Sequence, residues 1–135
     1  MAFYLDTSAV VKLVVEEAGS AALRSWLEDG GEGGVAPEVV SSDLLRTELL
    51  RATRQGAPDQ IARARSVLEA VPLLTLPSSV FDRAALLEPA GVRSLDAIHL
   101  ASALDLGDDL EGIVTYDSRL GDGVRALGYR VVAPG

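Results

Sequence analysis

The sequence contains no cysteine, which excludes disulfide bridges, Cys-ligated zinc, iron–sulfur clusters and a thiol nucleophile. A single histidine, His99, argues against a transition-metal site built from several imidazoles. Lysine is just as scarce, with Lys12 alone, and aromatic residues make up only 4%. No uncharged run reaches the roughly 20 residues that a membrane-spanning helix needs. The N-terminus has no basic region ahead of an apolar stretch, and Asp6 breaks its short apolar run, so it does not read as a signal peptide. The expectation is a soluble, cytoplasmic protein with no membrane partner.

What is abundant is aliphatic. Hydrophobic residues are 48% of the 135 positions, mostly Val, Leu, Ala and Ile. That length suits one domain with one core, expected to span residues 1–135, and the aliphatic bias favours buried strands covered by helices. The net charge is −8, from 20 acids against 12 bases. Taken alone this opposes a general nucleic-acid binder, because phosphate affinity usually comes from a basic surface. Two divalent ions held by four of the acids would bring −8 to −4, so the distribution of charge matters more than its total. Arg supplies 11 of the 12 bases and suits planar, two-point phosphate contacts.

Strand and helix patterns alternate along the chain. Residues 2–6 read as a buried strand. Ser8 is expected to cap a helix from Ala9 to about Glu17, followed after Gly19 by a second from about Ser20 to Glu28 with Leu23, Trp26 and Leu27 on one face. The glycine-rich segment 30–34 reads as an exposed turn, since no Lys or Ser/Thr stands at P-loop spacing. Val39-Val40 is a short strand, and Ser42 is expected to cap a helix from Asp43 to Arg54. A helix from Asp59 to Ala70, a strand Leu73–Leu76 and a helix from Ser78 or Ser79 to about Glu88 follow. Ser94 is expected to cap a helix from Leu95 to about Asp105. Gly112–Tyr116 is a strand, Ser118 starts a helix to Leu127, and Arg130–Val132 is the last strand. This alternation predicts an α/β fold with a parallel sheet covered on both faces, and a site outside the carboxyl ends of its strands.

Four acids stand in pointed places: Asp6 after the first strand, Glu48 within Thr47-Glu48-Leu49-Leu50, Asp96 within Ser94-Leu95-Asp96-Ala97-Ile98-His99, and Asp117 after Thr115-Tyr116. Carboxylates gathered in one cleft raise one another's pKa, and a hard divalent cation such as Mg²⁺ or Mn²⁺ would compensate them. Each has an ordinary alternative. Asp6 is good cap material, Asp96 could be an acid that complements a helix dipole, and Asp117 could open a turn. Glu48 has Ala52 rather than a base one turn on, so no ion pair within its helix explains it. The hydroxyls of Thr7, Ser8 and Thr115 lie beside these acids and could orient them. His99 reads as a packed, hydrogen-bonded helix residue. Lys12, Arg46, Arg51, Arg93 and Arg119 are candidates for gripping phosphates, although a solvated helix face is the commoner explanation for any one of them.

At these residues the sequence resembles the PIN-domain family, and within it the VapC-type toxins of bacterial toxin–antitoxin pairs. The matching pieces are Tyr4-Leu5-Asp6-Thr7-Ser8-Ala9, Arg46-Thr47-Glu48-Leu49, Ser94-Leu95-Asp96-Ala97-Ile98-His99-Leu100-Ala101 and Val114-Thr115-Tyr116-Asp117-Ser118-Arg119-Leu120, in the family's order. Leu120 departs from it, since many PIN domains carry an aromatic residue there. The resemblance implies a three-layer α/β/α sandwich around a central, mainly parallel sheet, and a Mg²⁺- or Mn²⁺-dependent endoribonuclease. Asp6, Asp96 and Asp117 would be metal ligands, directly or through water, and Glu48 would position a water that attacks an RNA phosphodiester. It further implies a homodimer inhibited by a VapB-type antitoxin.

A receiver-type phosphoacceptor domain would want adjacent acids at the first strand's end and a late Lys, but Leu5 precedes Asp6 and the only Lys is Lys12. A phosphatase of the Asp-x-Asp type has Ser8 where its second Asp should stand. A catalytically silent PIN-like module that binds only a partner protein would be favoured by the loss of an acid, and none is missing.

Overall fold

The computed structural model describes residues 1–88 and 91–135, with Glu32 described by its backbone alone. Five parallel strands, β1 (Ala2–Leu5), β2 (Val39–Ser42), β3 (Leu73–Leu74), β4 (Leu110–Val114) and β5 (Val131–Val132), form one sheet in the order β3-β2-β1-β4-β5. The helices are α1 (Thr7–Val14), α2 (Ser20–Asp29), α3 (Leu44–Thr53), α4 (Pro58–Ala70), α5 (Ser78–Ala85), α6 (Ser94–Leu104) and α7 (Ser118–Ala126). From β1 the chain steps outward through β2 and β3, then returns to the other side of β1 for β4 and β5. The strand order therefore reverses between β1 and β4, where an open parallel sheet leaves a crevice outside its carboxyl ends.

Strand periodicity divides the core into two layers. Phe3 and Leu5 of β1 and Val114 of β4 pack on one face with Val10 and Val14 of α1, Leu23 of α2, Leu45 and Leu49 of α3 and Ala64 of α4. Tyr4 and Ile113 point to the opposite face, against Leu100 and Leu104 of α6 and Leu120 and Val124 of α7. Helix α5 packs on α6 through Val80, Ala84, Ala97 and Ala101. The result is the expected three-layer α/β/α sandwich. At Gly112 the neighbouring strands leave so little room that a Cβ would meet the Arg130 carbonyl at 3.0 Å and the Phe3 ring at 3.2 Å. Among the described residues no helix is long and apolar enough to cross a membrane.

Several boundaries differ from the sequence-based expectation. Asp6, not Ser8, is the N-cap of α1, because its carboxylate accepts from the Ala9 amide at 3.2 Å. Ser42 caps nothing and closes β2, which is longer than Val39-Val40. Buried hydroxyls tolerate that strand because Ser41 Oγ donates to the Leu5 carbonyl (2.7 Å) and Ser42 Oγ accepts from the Tyr4 phenol (2.9 Å). Ser94 lies inside α6, after an N-cap Arg93 that makes no side-chain cap bond. Pro58 opens α4, where its missing N–H and fixed φ are no handicap. Strand β3 ends at Leu74, β4 is Leu110–Val114 with Thr115 and Tyr116 beyond it, and α1 stops at Val14.

Leu100, fully buried in α6, is a test of the core around the site's far layer. Leu100→Ala is expected to cost about 2–5 kcal/mol, read as a lower denaturant midpoint with an unchanged slope. Ser25→Ala, on the exposed face of α2, is expected to change stability by less than about 0.5 kcal/mol.

Candidate active site

Asp6 follows the last residue of β1, and its backbone N–H still joins the ladder by donating to the Val114 carbonyl of β4 at 3.1 Å. The side chain is only 3% exposed. Its Oδ1 accepts from Ser8 Oγ (2.6 Å) and the Ala9 amide (3.2 Å), and its Oδ2 accepts from Thr115 Oγ1 (2.7 Å). Burial raises the Asp6 carboxyl above the ordinary range, and the hydroxyls of Ser8 and Thr115 oppose that rise. The cap reading of Asp6 is therefore correct as local structure.

The same hydroxyls tie Asp6 to the segment that carries Asp117. Ser8 Oγ accepts from the Tyr116 amide (2.9 Å), and Thr115 Oγ1 accepts from the Asp117 amide (3.1 Å). Asp117 is the N-cap of α7, its Oδ1 accepting from the amides of Arg119 (2.9 Å) and Leu120 (3.2 Å). Asp117 thus caps a helix where a turn was the ordinary expectation, and the cap leaves Oδ2 for other partners.

Glu48 comes from α3 and is partly covered, with its side chain 22% exposed. Thr7 Oγ1 donates to Glu48 Oε1 at 2.6 Å, and His99 Nε2 lies 2.5 Å from the same oxygen. Burial pulls the Glu48 carboxyl upward, but the bonds from His99 and Thr7 outweigh it and hold the group below its ordinary value. Thr7 was expected beside the acids in general, and the structure gives it to Glu48, whereas Ser8 and Thr115 serve Asp6.

Asp96 sits in the first turn of α6. The helix dipole was expected to favour its ionised form, yet its carboxyl is raised. Partial burial is the largest cause, followed by the charges of Asp117 and Asp6, with Glu48 adding to them and His99 opposing. One acid on α6 thus lies within electrostatic range of three acids from three other segments. Among the described residues, no group of three or more His, Asp or Glu side chains stands so that it would already enclose a metal ion.

The sequence left Tyr4 and Ser42 out of the site and gave His99 as a packed, hydrogen-bonded helix residue, which it is, without naming its partners. His99 is buried, with Nδ1 2.7 Å from the Tyr4 hydroxyl and Nε2 on Glu48. The phenol of Tyr4 is fully buried and pushed up to about 12, chiefly by burial, against the bonds of nearby serines. Two signals were present. His99 is one helical turn beyond Asp96, on the same face, and a phenol in a buried strand needs a polar partner. Of the candidate bases, Lys12 is already engaged by Glu17 Oε1 (3.1 Å) and the Ala18 carbonyl (2.7 Å), and lies 4.5 Å over the Tyr116 ring. Arg46 binds Asp43 at 2.9 Å and lines a groove with Arg65, Leu50 and Leu68 that none of the four acids lines. Arg51, Arg93 and Arg119 are exposed.

The raised Asp96 carboxyl has a consequence for stability. Its charge is disfavoured in the folded protein, so folding is strongest with the group protonated, below the ordinary Asp pKa of about 4, and weakens as pH rises through the folded value. Asp96→Asn removes that penalty. The variant, with no divalent ion added, is expected to melt above wild type at neutral pH and to lose that advantage below about pH 4. A lower melting temperature for the variant at neutral pH would contradict the repulsion.

The PIN domain family model matches residues 3–123. Ribonuclease VapC47 of Mycobacterium tuberculosis (strain CDC 1551 / Oshkosh) is 41% identical over 133 residues, covering 98% of this chain and 96% of that protein. Ribonuclease VapC46 of Mycobacterium tuberculosis (strain ATCC 25618 / H37Rv) is 42% identical over 133 residues, covering 98% of each. Among solved structures, Mycobacterium tuberculosis VapC20, described as a Sarcin-Ricin loop cleaving toxin, superposes with a TM-score of 0.73 at 18% identity, over 98% of this chain and 100% of that one. A toxin-antitoxin complex from Klebsiella pneumoniae gives 0.70 at 20% identity, over 99% and 98%. At those identities the two structures speak for the fold alone. With a family match over most of its length and full-length relatives at about 40% identity, the chain belongs to the PIN-domain family, among the VapC ribonucleases.

Proposed function

We propose that residues 1–135 form one PIN domain that acts as a metal-dependent endoribonuclease, the toxin of a VapBC-type toxin–antitoxin pair. The observation that carries this reading is the pair of hydrogen-bonded acids beside the end of β1, Asp6 held by Ser8 and Thr115 and Glu48 held by Thr7 and His99, with the Asp96 carboxyl raised by burial and by the charges of Asp117, Asp6 and Glu48. The donor set fits a hard divalent cation: the groups are carboxylates, with no thiolate in the chain, and two of them, Asp6 and Asp96, carry raised pKa values that a positive ion would relieve. Asp6, Asp96 and Asp117 would hold Mg²⁺ or Mn²⁺, and Glu48 would reach it through water. When bound, such an ion supplies positive charge that favours ionisation of water and offsets charge building on phosphodiester oxygens.

The chain's own residues then have separate tasks. Asp6 is immobilised by its three hydrogen bonds, and Asp117 by the α7 amides, so both present fixed oxygens. Glu48, its Oε1 taken by Thr7 and His99, offers Oε2 to orient a water in line with the scissile bond. That water's oxygen bonds to phosphorus, the P–O3′ bond breaks, and a proton reaching the leaving oxygen yields a 3′-hydroxyl opposite a 5′-phosphate. Exposed Arg51, Arg93 and Arg119 are the better placed of the five bases to meet RNA phosphates. An antitoxin guanidinium competing for the same carboxylates is a physically direct inhibitor. We place the protein in the cytoplasm and read it as a homodimer, the dimer being supported by exposed Phe81 and Leu95 on the paired helices α5 and α6.

Purified protein is expected to cut total bacterial RNA with Mg²⁺ or Mn²⁺ and to stop with EDTA. Asp6→Asn and Asp96→Asn should each lose at least about 100-fold in rate while circular dichroism stays native, since losses at supporting partners already reach 10–100-fold. Cleavage by either variant at the wild-type rate would sink the assignment. Arg119→Ala should weaken binding of an uncut RNA oligonucleotide regardless of sequence, and flatten the salt dependence by about 0.7 in log–log slope, the share of one phosphate contact on a single strand. An unchanged slope would remove Arg119 from the RNA path.

A further inference from the structure

A buried polar chain runs behind Glu48 through three elements. Ser42 of β2 meets the Tyr4 hydroxyl at 2.9 Å, the Tyr4 hydroxyl meets His99 Nδ1 at 2.7 Å, and His99 Nε2 meets Glu48 Oε1 at 2.5 Å. Thr7 Oγ1 closes it from α1, at 2.6 Å from the same oxygen of Glu48 and 3.2 Å from His99 Nε2. Tyr4 and Ser42 are fully buried and His99 is 2% exposed, so water does not compete for these bonds.

The proton inventory of the chain is restrictive. Thr7 has one hydroxyl proton and gives it to Glu48 Oε1. A carboxylate accepts only, so the contact between Oε1 and Nε2 needs a proton on Nε2. Nδ1 meets the Tyr4 hydroxyl on the other side of the ring, and the direction of that bond does not alter the donor at Nε2. In either case Nε2 is a donor to Glu48. Both bonds fall on Oε1, which sets the carboxylate's rotation and leaves Oε2 as the oxygen open to the crevice. Helix α3 has no such restraint of its own, because its N-cap Asp43 makes no side-chain cap bond.

We infer that His99, held from behind by Tyr4, is a positioning residue whose Nε2–H orients Glu48 toward the reacting water. This rests on the ribonuclease reading above, in which Glu48 does the orienting of water. A purely structural His99 would matter for its volume and its buried bonds in general. A positioning His99 matters for the donor at Nε2 in particular.

Two amides separate these possibilities. The Gln amide nitrogen lies near the place of Nε2 and keeps the donor to Glu48, while Asn reaches only the place of Nδ1 and keeps the Tyr4 side. Measured on an RNA oligonucleotide that the wild type cuts, His99→Asn is expected to lower kcat and kcat/KM together by about 10–100-fold, and His99→Gln by less than about tenfold. Melting temperatures should fall alike for both. Equal losses of activity in the two variants, in step with their stability, would overturn the inference.

A second readout needs neither metal nor RNA. His99 is the chain's only histidine, so the imidazole ¹⁵N spectrum of the metal-free protein has a single origin. Glu48→Gln should shift Nε2 and Tyr4→Phe should shift Nδ1. An imidazole indifferent to Glu48→Gln would likewise reject the coupling. If the wild type itself cuts no RNA, the ribonuclease reading fails, and the spectra alone decide whether His99 holds Glu48.

Discussion

Burying a carboxylate costs several kcal/mol unless hydrogen bonds or opposite charge offset the lost hydration, and Asp6 pays that cost at the hinge between the two halves of the sheet. Its oxygens are met by Ser8, Ala9 and Thr115, so β1, α1 and the end of β4 are joined through one side chain. Thr115 and Ser8 pass the restraint on to the backbone of Asp117 and Tyr116. The α1 N-terminus, the β1–β4 ladder and the approach to α7 therefore share one polar anchor. Without that anchor the hydroxyl protons of Ser8 and Thr115 would lose their carboxylate acceptor in a buried place.

The other side of the crevice is organised by a different network. Glu48 is fixed through Thr7, His99 and Tyr4, which connect α3 to α1, α6 and β1. Asp96 stands between the networks and has no hydrogen bond of its own among the described residues, so it feels the neighbouring charges most directly. The four acids thus divide into anchored groups with assigned oxygens and one group left responsive to charge. An arrangement of that kind presents pre-oriented oxygens without spending conformational entropy at the moment of binding.

The overall charge of −8 looks unsuited to a polyanion, yet its distribution softens the conflict. The charges of Asp117, Asp6 and Glu48 all act on Asp96, and in the proposed site a divalent ion would neutralise part of the sum. Arg93 and Arg119 are exposed and lie close in sequence to Asp96 and Asp117. Lys12, by contrast, is committed to Glu17, Ala18 and the Tyr116 ring, which makes it a brace between α1, the start of α2 and the segment after β4.

The amino-acid sequence by itself determined the layers and the acids. Alternation at Phe3, Tyr4 and Leu5 sends side chains to opposite faces, and aliphatic runs broken by Gly and Pro make strands and helices alternate, both consequences of local backbone geometry. Asp6 and Asp117 were legible because they follow strands, and Glu48 because nothing in its own helix explains it. Only the tertiary structure decided who holds whom. Ser42 looked like a cap because Ser favours caps locally, but the Tyr4 hydroxyl, 38 residues away, gives it a better partner inside the sheet. His99 read as packed and hydrogen-bonded, but that its partner is Glu48, 51 residues distant and 2.5 Å away, was not legible. Such bonds depend on how strands are ordered and helices laid across them, and no local pattern encodes a contact made only after the sheet has formed.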